Sequence, residues 1–382
     1  LIAYNLVALN SIVGFLTIVS IAIITFIKGP SATRLLFRKS VNLITSSNFS
    51  GEDSKLDKLN NKIKELKSSN KKELYFPAYH WNPSIHKFGE QLWLSRPSSS
   101  FIVRKDEGSG IIPFKTNSLG HRLVLNESLD RPIEAIFIGD SFTEGCCVQT
   151  GYTLPDYYAS ITEKNVLNLG ISGTGPGRQF ATLINFIEYA NSKDIKFNDD
   201  ANVYWIVFTN NDLNDLNREK SLIPTNYLNP KGSNNYYSNI SLHDNEQKIF
   251  LSKLSENLAL QKRSMLPYFS YSAFTKADIE NSSSELIQIL TKANDLCLIN
   301  NLNLKIIVLS DYPDTPIDSL AGMANQSIKK YVQSNAKLNS LIYSFKDNPP
   351  RILTNHPKGR KFGHYDEEGY FELALFISNS FK

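Results

Sequence analysis

From residue 133 onward, short apolar runs alternate with stretches of helical character. IEAIFIG (133–139), NVLNLG (165–170), NVYWIVF (202–208), LKIIVLS (304–310) and a weaker RILTN (351–355) predict strands. Segments 154–163, 177–193, 284–300, 318–345 and 367–381 predict helices. The strand runs are apolar throughout instead of alternating, which implies burial on both faces, hence a parallel sheet with helices on each side and an α/β fold. A stretch rich in Asn, Ser and Tyr, about 213–283, interrupts this alternation after the third strand. Because it leaves the carboxyl end of a strand, where open parallel sheets bind ligands, it is expected to form a lid or a substrate-shaping insertion.

Upstream the pattern changes. Residues 1–27 carry no charge and are long enough to cross a hydrocarbon core of about 30 Å as a transmembrane helix. The run exceeds a cleaved signal's apolar segment of about 7–15 residues, so it predicts a membrane anchor. Lys28, Arg34, Arg38 and Lys39 follow it, and the positive-inside tendency alone would put them in the cytoplasm. Residues 28–74 form a charged juxtamembrane spacer, in which Leu56, Leu59, Ile63 and Leu66 mark a short amphipathic helix. Residues 75–132, ending in FKTNSLGHRL, are expected to be an extension packed on the main domain. Asn117, Ser118, Leu119 and Gly120 suggest a turn with Gly120 at positive φ.

Composition narrows the classes. The 382 residues suffice for one large domain with insertions, or for two. With 41 Lys and Arg against 37 Asp and Glu, the net charge is +4 and no basic cluster is dense enough for a nucleic-acid surface. Cys146, Cys147 and Cys297 make neither a CxxC pair nor an even disulfide framework. They are read as small buried residues, not as thiol chemistry or structural zinc.

Four segments carry chemistry, each at the carboxyl end of a predicted strand or in a loop before a helix. In IFIGDSFTEG, Ser141 directly follows an apolar strand, where a hydroxyl can be presented as a nucleophile, although Asp and Ser also cap helices. NLGISGTGPG has glycines at 170, 173, 175 and 177, which permit close approach of a ligand to backbone N–H groups, and it lacks a phosphate-loop pattern. FTNNDLND offers Asn210, Asn211 and Asp212, and an Asn amide donates hydrogen bonds without adding charge. In GHYDEEGYFELALFI, His364 precedes a helix whose first residues are acidic.

In order and spacing these blocks resemble the SGNH, or GDSL-type, hydrolases. GDS supplies Ser141, the SG of NLGISG supplies Gly173, the NND of FTNND supplies Asn211, and HYDEEG supplies His364. The resemblance covers about residues 133–382, and FKTNSLGHR is similar to a stretch of membrane-anchored bacterial members. It implies a flavodoxin-like three-layer α/β/α sandwich and an ester hydrolase needing neither cofactor nor metal. Ser141 would be the nucleophile and His364 the general base, with the N–H groups of Ser141 and Gly173 and the Asn211 side chain as oxyanion donors. Most members carry an Asp two or three residues before the His; here Lys361 and Phe362 occupy those places, and Thr209 replaces a common glycine. Asp366, Asp311, Asp314, a carbonyl or a water is left to orient the imidazole. The expected substrate is an acyl ester, such as an O-acetyl group on cell-surface carbohydrate, hydrolysed or transferred on the extracytoplasmic side. A degenerate SGNH-like protein that binds glycan is the alternative.

Overall fold

A computed structural model of the chain describes residues 50–78, 87–88, 91–105, 110–222, 236–257, 275–311, 318–345, 347 and 363–381. The chain divides into two compact units, 1–58 and 59–382. In the first, residues 50–58 are helical. The expected anchor at 1–27, the RILTN strand at 351–355 and Asp314 lie outside the described residues. Among the described residues, no helix is long and apolar enough to cross a membrane.

The described chain opens with α1 (Ser50–Ser69), followed by β1 (Tyr75–Pro77), β2 (Lys87–Phe88), β3 (Gln91–Leu92), β4 (Phe101–Lys105) and β5 (Ile111–Lys115). Strand β4 pairs in parallel with β1 and antiparallel with β5, while β2 and β3 form a separate ribbon. The apolar stripe of α1 is put to use: Leu59 and Ile63 are buried with Tyr75 and Val103 on this small sheet.

The main body runs β6 (Ile133–Ile138), α2 (Ser141–Glu144), α3 (Leu154–Thr162), β7 (Val166–Asn168), α4 (Pro176–Ser192), β8 (Phe197–Phe208) and α5 (Asp212–Leu222). After a 3₁₀ turn at Tyr236–Asn239 come α6 (Ile240–Glu256), α7 (Lys276–Ile299), β9 (Asn303–Ser310), α8 (Leu320–Ser334), β10 (Ser340–Ser344) and α9 (Glu367–Ser380). Strands β6 to β10 form one all-parallel sheet in the order β10-β9-β8-β6-β7. Alternate residues of each strand enter opposite cores, as the unbroken apolar runs require. Ile136, Val203, Trp205 and Val308 pack with α4, α7 and α8, whereas Phe137, Tyr204, Ile206 and Ile307 pack with α3 and α9. From β6 the chain moves outward to β7 and then returns across β6 to β8. Such a reversal opens a crevice at the carboxyl ends of the strands.

Two expected boundaries are corrected. The helix expected at 318–345 is α8 plus strand β10: Asn335 adopts extended backbone (φ −92°, ψ 97°), and SLIYS then pairs with β9. The helix expected from 284 starts at Lys276, because Thr275 and Asp278 form a capping box. In the 213–283 stretch, Tyr236 and Tyr237 enter the main core, and Leu251 and Leu254 of α6 pack on Phe76, Ile102 and Phe114 of the small sheet.

Candidate active site

At the end of β6, the Asp140 carboxylate caps α2 by accepting the Phe142 N–H at 2.9 Å, which makes Ser141 the first residue of that short helix. The Ser141 hydroxyl lies 2.6 Å from His364 Nε2, across 223 residues of sequence. The imidazole rests on Phe142, ring centroids 4.7 Å apart, and Phe142 in turn packs on Phe208 at 4.5 Å. Asp366 caps α9 by accepting the Gly369 N–H at 2.8 Å, so the loop carrying His364 is tied to a fixed helix start.

Gly173 sits in the loop after β7 at φ +75°. That loop presses on α2: a Cβ on Gly170 would stand 2.5 Å from the Glu144 nitrogen and 2.7 Å from the Thr143 carbonyl carbon. Asn168 secures the approach, donating to the Thr143 carbonyl at 3.1 Å and accepting the Gly170 N–H at 2.9 Å. Asn211 follows β8 and donates from its amide to Asp140 Oδ2 at 3.0 Å. Among the described residues, no acceptor partners the N–H of Ser141 or of Gly173. The four residues singled out from sequence therefore come from four separate segments, with Ser141 and His364 in direct contact and Asn211 joined to Asp140.

The structure adds residues that sequence reasoning missed. Glu144, buried at the end of α2, receives Arg96 at 2.6 Å, Arg104 at 2.9 Å and the Ser172 hydroxyl. Burial alone would raise its pKa, but the two guanidinium groups hold it down at about 2, so it stays ionised. Arg122 donates to the carbonyls of Gly145 at 2.6 Å and Val148 at 2.8 Å, gripping the loop that leaves α2. The turn before it forms as expected, with Gly120 at φ +78° and its Cβ direction blocked by the Arg96 carbonyl oxygen. These arginines gave no sequence signal beyond their places: Arg122 in the TNSLGHR lead-in, Arg104 on strand β4 and Arg96 between β3 and β4.

Behind Asn211 lies a second buried group of acids. Asp212 accepts the Phe208 N–H at 2.8 Å, and Glu219 accepts the Gly175 N–H at 2.8 Å. Burial pushes Asp140 and Asp212 above the ordinary carboxylate range, Asp215 up to about 8 and Glu219 up to about 7. For Asp215, desolvation outweighs the Arg218 guanidinium 3.3 Å away.

Of the aspartates considered as partners of His364, Asp366 is engaged as the α9 cap. Asp311 is bound to Lys329 at 2.9 Å and to Asn325 at 2.8 Å, and its carboxyl lies at about 2: burial opposes ionisation, but the Lys329 hydrogen bond prevails. The His364 Nδ1 atom faces Cys147 Sγ at 4.0 Å. No protein-family model matches the chain, and no curated protein matches it significantly.

Proposed function

We propose that the chain is a serine ester hydrolase of the SGNH type, with a flavodoxin-like three-layer α/β/α fold. The observation that carries this reading is the 2.6 Å contact between Ser141 Oγ and His364 Nε2, at the carboxyl edge of a parallel sheet. Ser141 attacks the carbonyl carbon of an acyl ester while His364 Nε2 takes its proton. The oxyanion is met by the N–H groups of Ser141 and Gly173 and by the amide of Asn211, whose second hydrogen is not needed by Asp140. His364 then protonates the departing alkoxide. Water, or an acceptor hydroxyl in a transfer reaction, repeats the sequence on the acyl-enzyme and releases Ser141. Neither cofactor nor metal takes part in these steps. The substrate class we favour is O-acylated cell-surface carbohydrate, met by a membrane-anchored protein outside the cytoplasm. The anchor is supported by the uncharged residues 1–27, and the side of the membrane by the family resemblance alone, against the basic residues that follow them.

The alternative is a degenerate SGNH-like domain that binds glycan without turnover. It is favoured by the engagement of Asp366 and Asp311 away from the imidazole. Hydrolysis of p-nitrophenyl acetate separates the two. The esterase reading expects turnover by the wild type and loss of it in both Ser141→Ala and His364→Ala, whereas equal rates in all three proteins support the binding reading.

A further inference from the structure

The two adjacent cysteines, read from sequence as inert packing, stand beside the histidine of the site. Cys146 Sγ and Cys147 Sγ are 2.6 Å apart, Cys147 Sγ is 4.0 Å from His364 Nδ1, and the three ligand-type atoms all lie within 4.8 Å of one another. Both thiols are free and buried. The segment bearing them is held at each end, since Arg122 grips the Gly145 and Val148 carbonyls that flank the pair. Tyr370 Oη lies 3.5 Å from the Cys146 carbonyl.

The geometry points to a thiophilic metal site formed by Cys146, Cys147 and His364 Nδ1, which takes a d¹⁰ ion such as Zn²⁺ and switches Ser141 off. Two thiolates and an imidazole are soft and borderline donors, suited to zinc and its congeners and poorly suited to magnesium or calcium. Tetrahedral zinc, with Zn–S about 2.3 Å and Zn–N about 2.0–2.1 Å, needs ligand atoms roughly 3.5–3.8 Å apart. The Cys147–His364 separation is already close to that, and the sulfur pair has to part by about 1 Å, within reach of a side-chain rotation. The fourth position is left to water.

Binding has a defined chemical consequence. The two thiols release two protons to solvent as their sulfurs coordinate, and His364 Nδ1 gives its lone pair to the metal. The remaining proton of the neutral imidazole is then on Nε2, which donates to Ser141 Oγ and no longer has a lone pair to accept the serine proton. The ion removes the general base without touching the nucleophile. The inhibitory half of this inference rests on the proposed esterase role of His364; the metal-binding half does not.

The test titrates the fully reduced protein with Co²⁺ and, separately, with Zn²⁺. Sulfur-to-cobalt charge-transfer absorption saturating at one ion per chain is expected. It should be lost in Cys146→Ser/Cys147→Ser and weakened in His364→Ala, which retains both sulfurs if the double variant does not fold. With p-nitrophenyl acetate as reporter, one equivalent of Zn²⁺ should remove most of the wild-type rate, and a chelator should restore it. Absence of the charge-transfer band, its persistence in the folded double serine variant, or a rate that rises with Zn²⁺ would overturn the inference. A normal band in a protein with no esterase activity at all would retain the site and reject the esterase reading, so the two failures are distinguishable.

Discussion

Arg122 holds two main-chain carbonyls, those of Gly145 and Val148, and its guanidinium lies 4.6 Å from the Phe114 ring centroid. Replacing it with Met keeps much of the stem but leaves both acceptors without a charged donor. A loss of about 2–4 kcal/mol in unfolding free energy by denaturant titration is expected, since buried unmet acceptors cost about 1–3 kcal/mol each. Asn211→Ala should lower kcat for ester hydrolysis by roughly 100- to 1000-fold, the range for removing one oxyanion donor. An unchanged kcat in a folded variant would remove Asn211 from that role. The segments bearing Ser141, Gly173, Asn211 and His364 stand out in the sequence because each follows a strand or precedes a helix in a short motif, and the structure brings Ser141 and His364 into contact. Glu144, Arg96 and Arg104 do not stand out, because their meaning lies in tertiary ion pairs between α2 and the preceding segment. The cysteines are free and buried, as their isolation in the sequence suggested, and their place beside His364, more than 200 residues away in sequence, could not be read from the chain.

At the scale of elements, the loop after β7 and helix α2 touch backbone to backbone, and this contact sets where Ser141 stands. Gly170→Ala would place a methyl 2.5 Å from the Glu144 nitrogen, with only backbone and the Thr143 Cβ to yield. The helix must shift, and on the proposed esterase reading kcat should fall more than KM rises, because the displaced group would react with the substrate and not select it. Four of the five parallel strands could be read from unbroken apolar runs, since burial on both faces writes itself directly into composition. Strand β10 was hidden. SLIYS carries one polar residue at each end and borders the sheet, so its pattern merged with that of the helix before it. Helix α7 begins eight residues early because a capping box, a local backbone device, acts ahead of the apolar periodicity. In the core, Ile206→Ala on β8 should cost about 2–5 kcal/mol, as for other buried large-to-small changes.

Across the whole molecule, the crevice that assembles the site also buries acids whose protons it retains. Asp215 ionises near pH 3.8 when the chain is unfolded but only at about 8 in the folded protein. Below about pH 4 both states hold the proton and the contribution to stability is fully present. As pH rises toward 8 the unfolded state releases its proton first, and that contribution is lost. The wild-type melting temperature should therefore fall between pH 6.5 and 8, and Asp215→Asn should flatten that fall. Parallel curves for the two proteins would contradict the assignment. Glu144 works in the opposite sense, contributing above about pH 4.5 and losing its contribution as pH drops toward 2. The central claim, that Ser141 is a nucleophile activated by His364, is tested most directly by labelling with a fluorophosphonate and locating the adduct by peptide mass spectrometry. A single adduct on Ser141 in the wild type, absent in Ser141→Ala and strongly slowed in His364→Ala, is the expected result. An adduct elsewhere, or labelling of Ser141 at the same rate without the histidine, would contradict it.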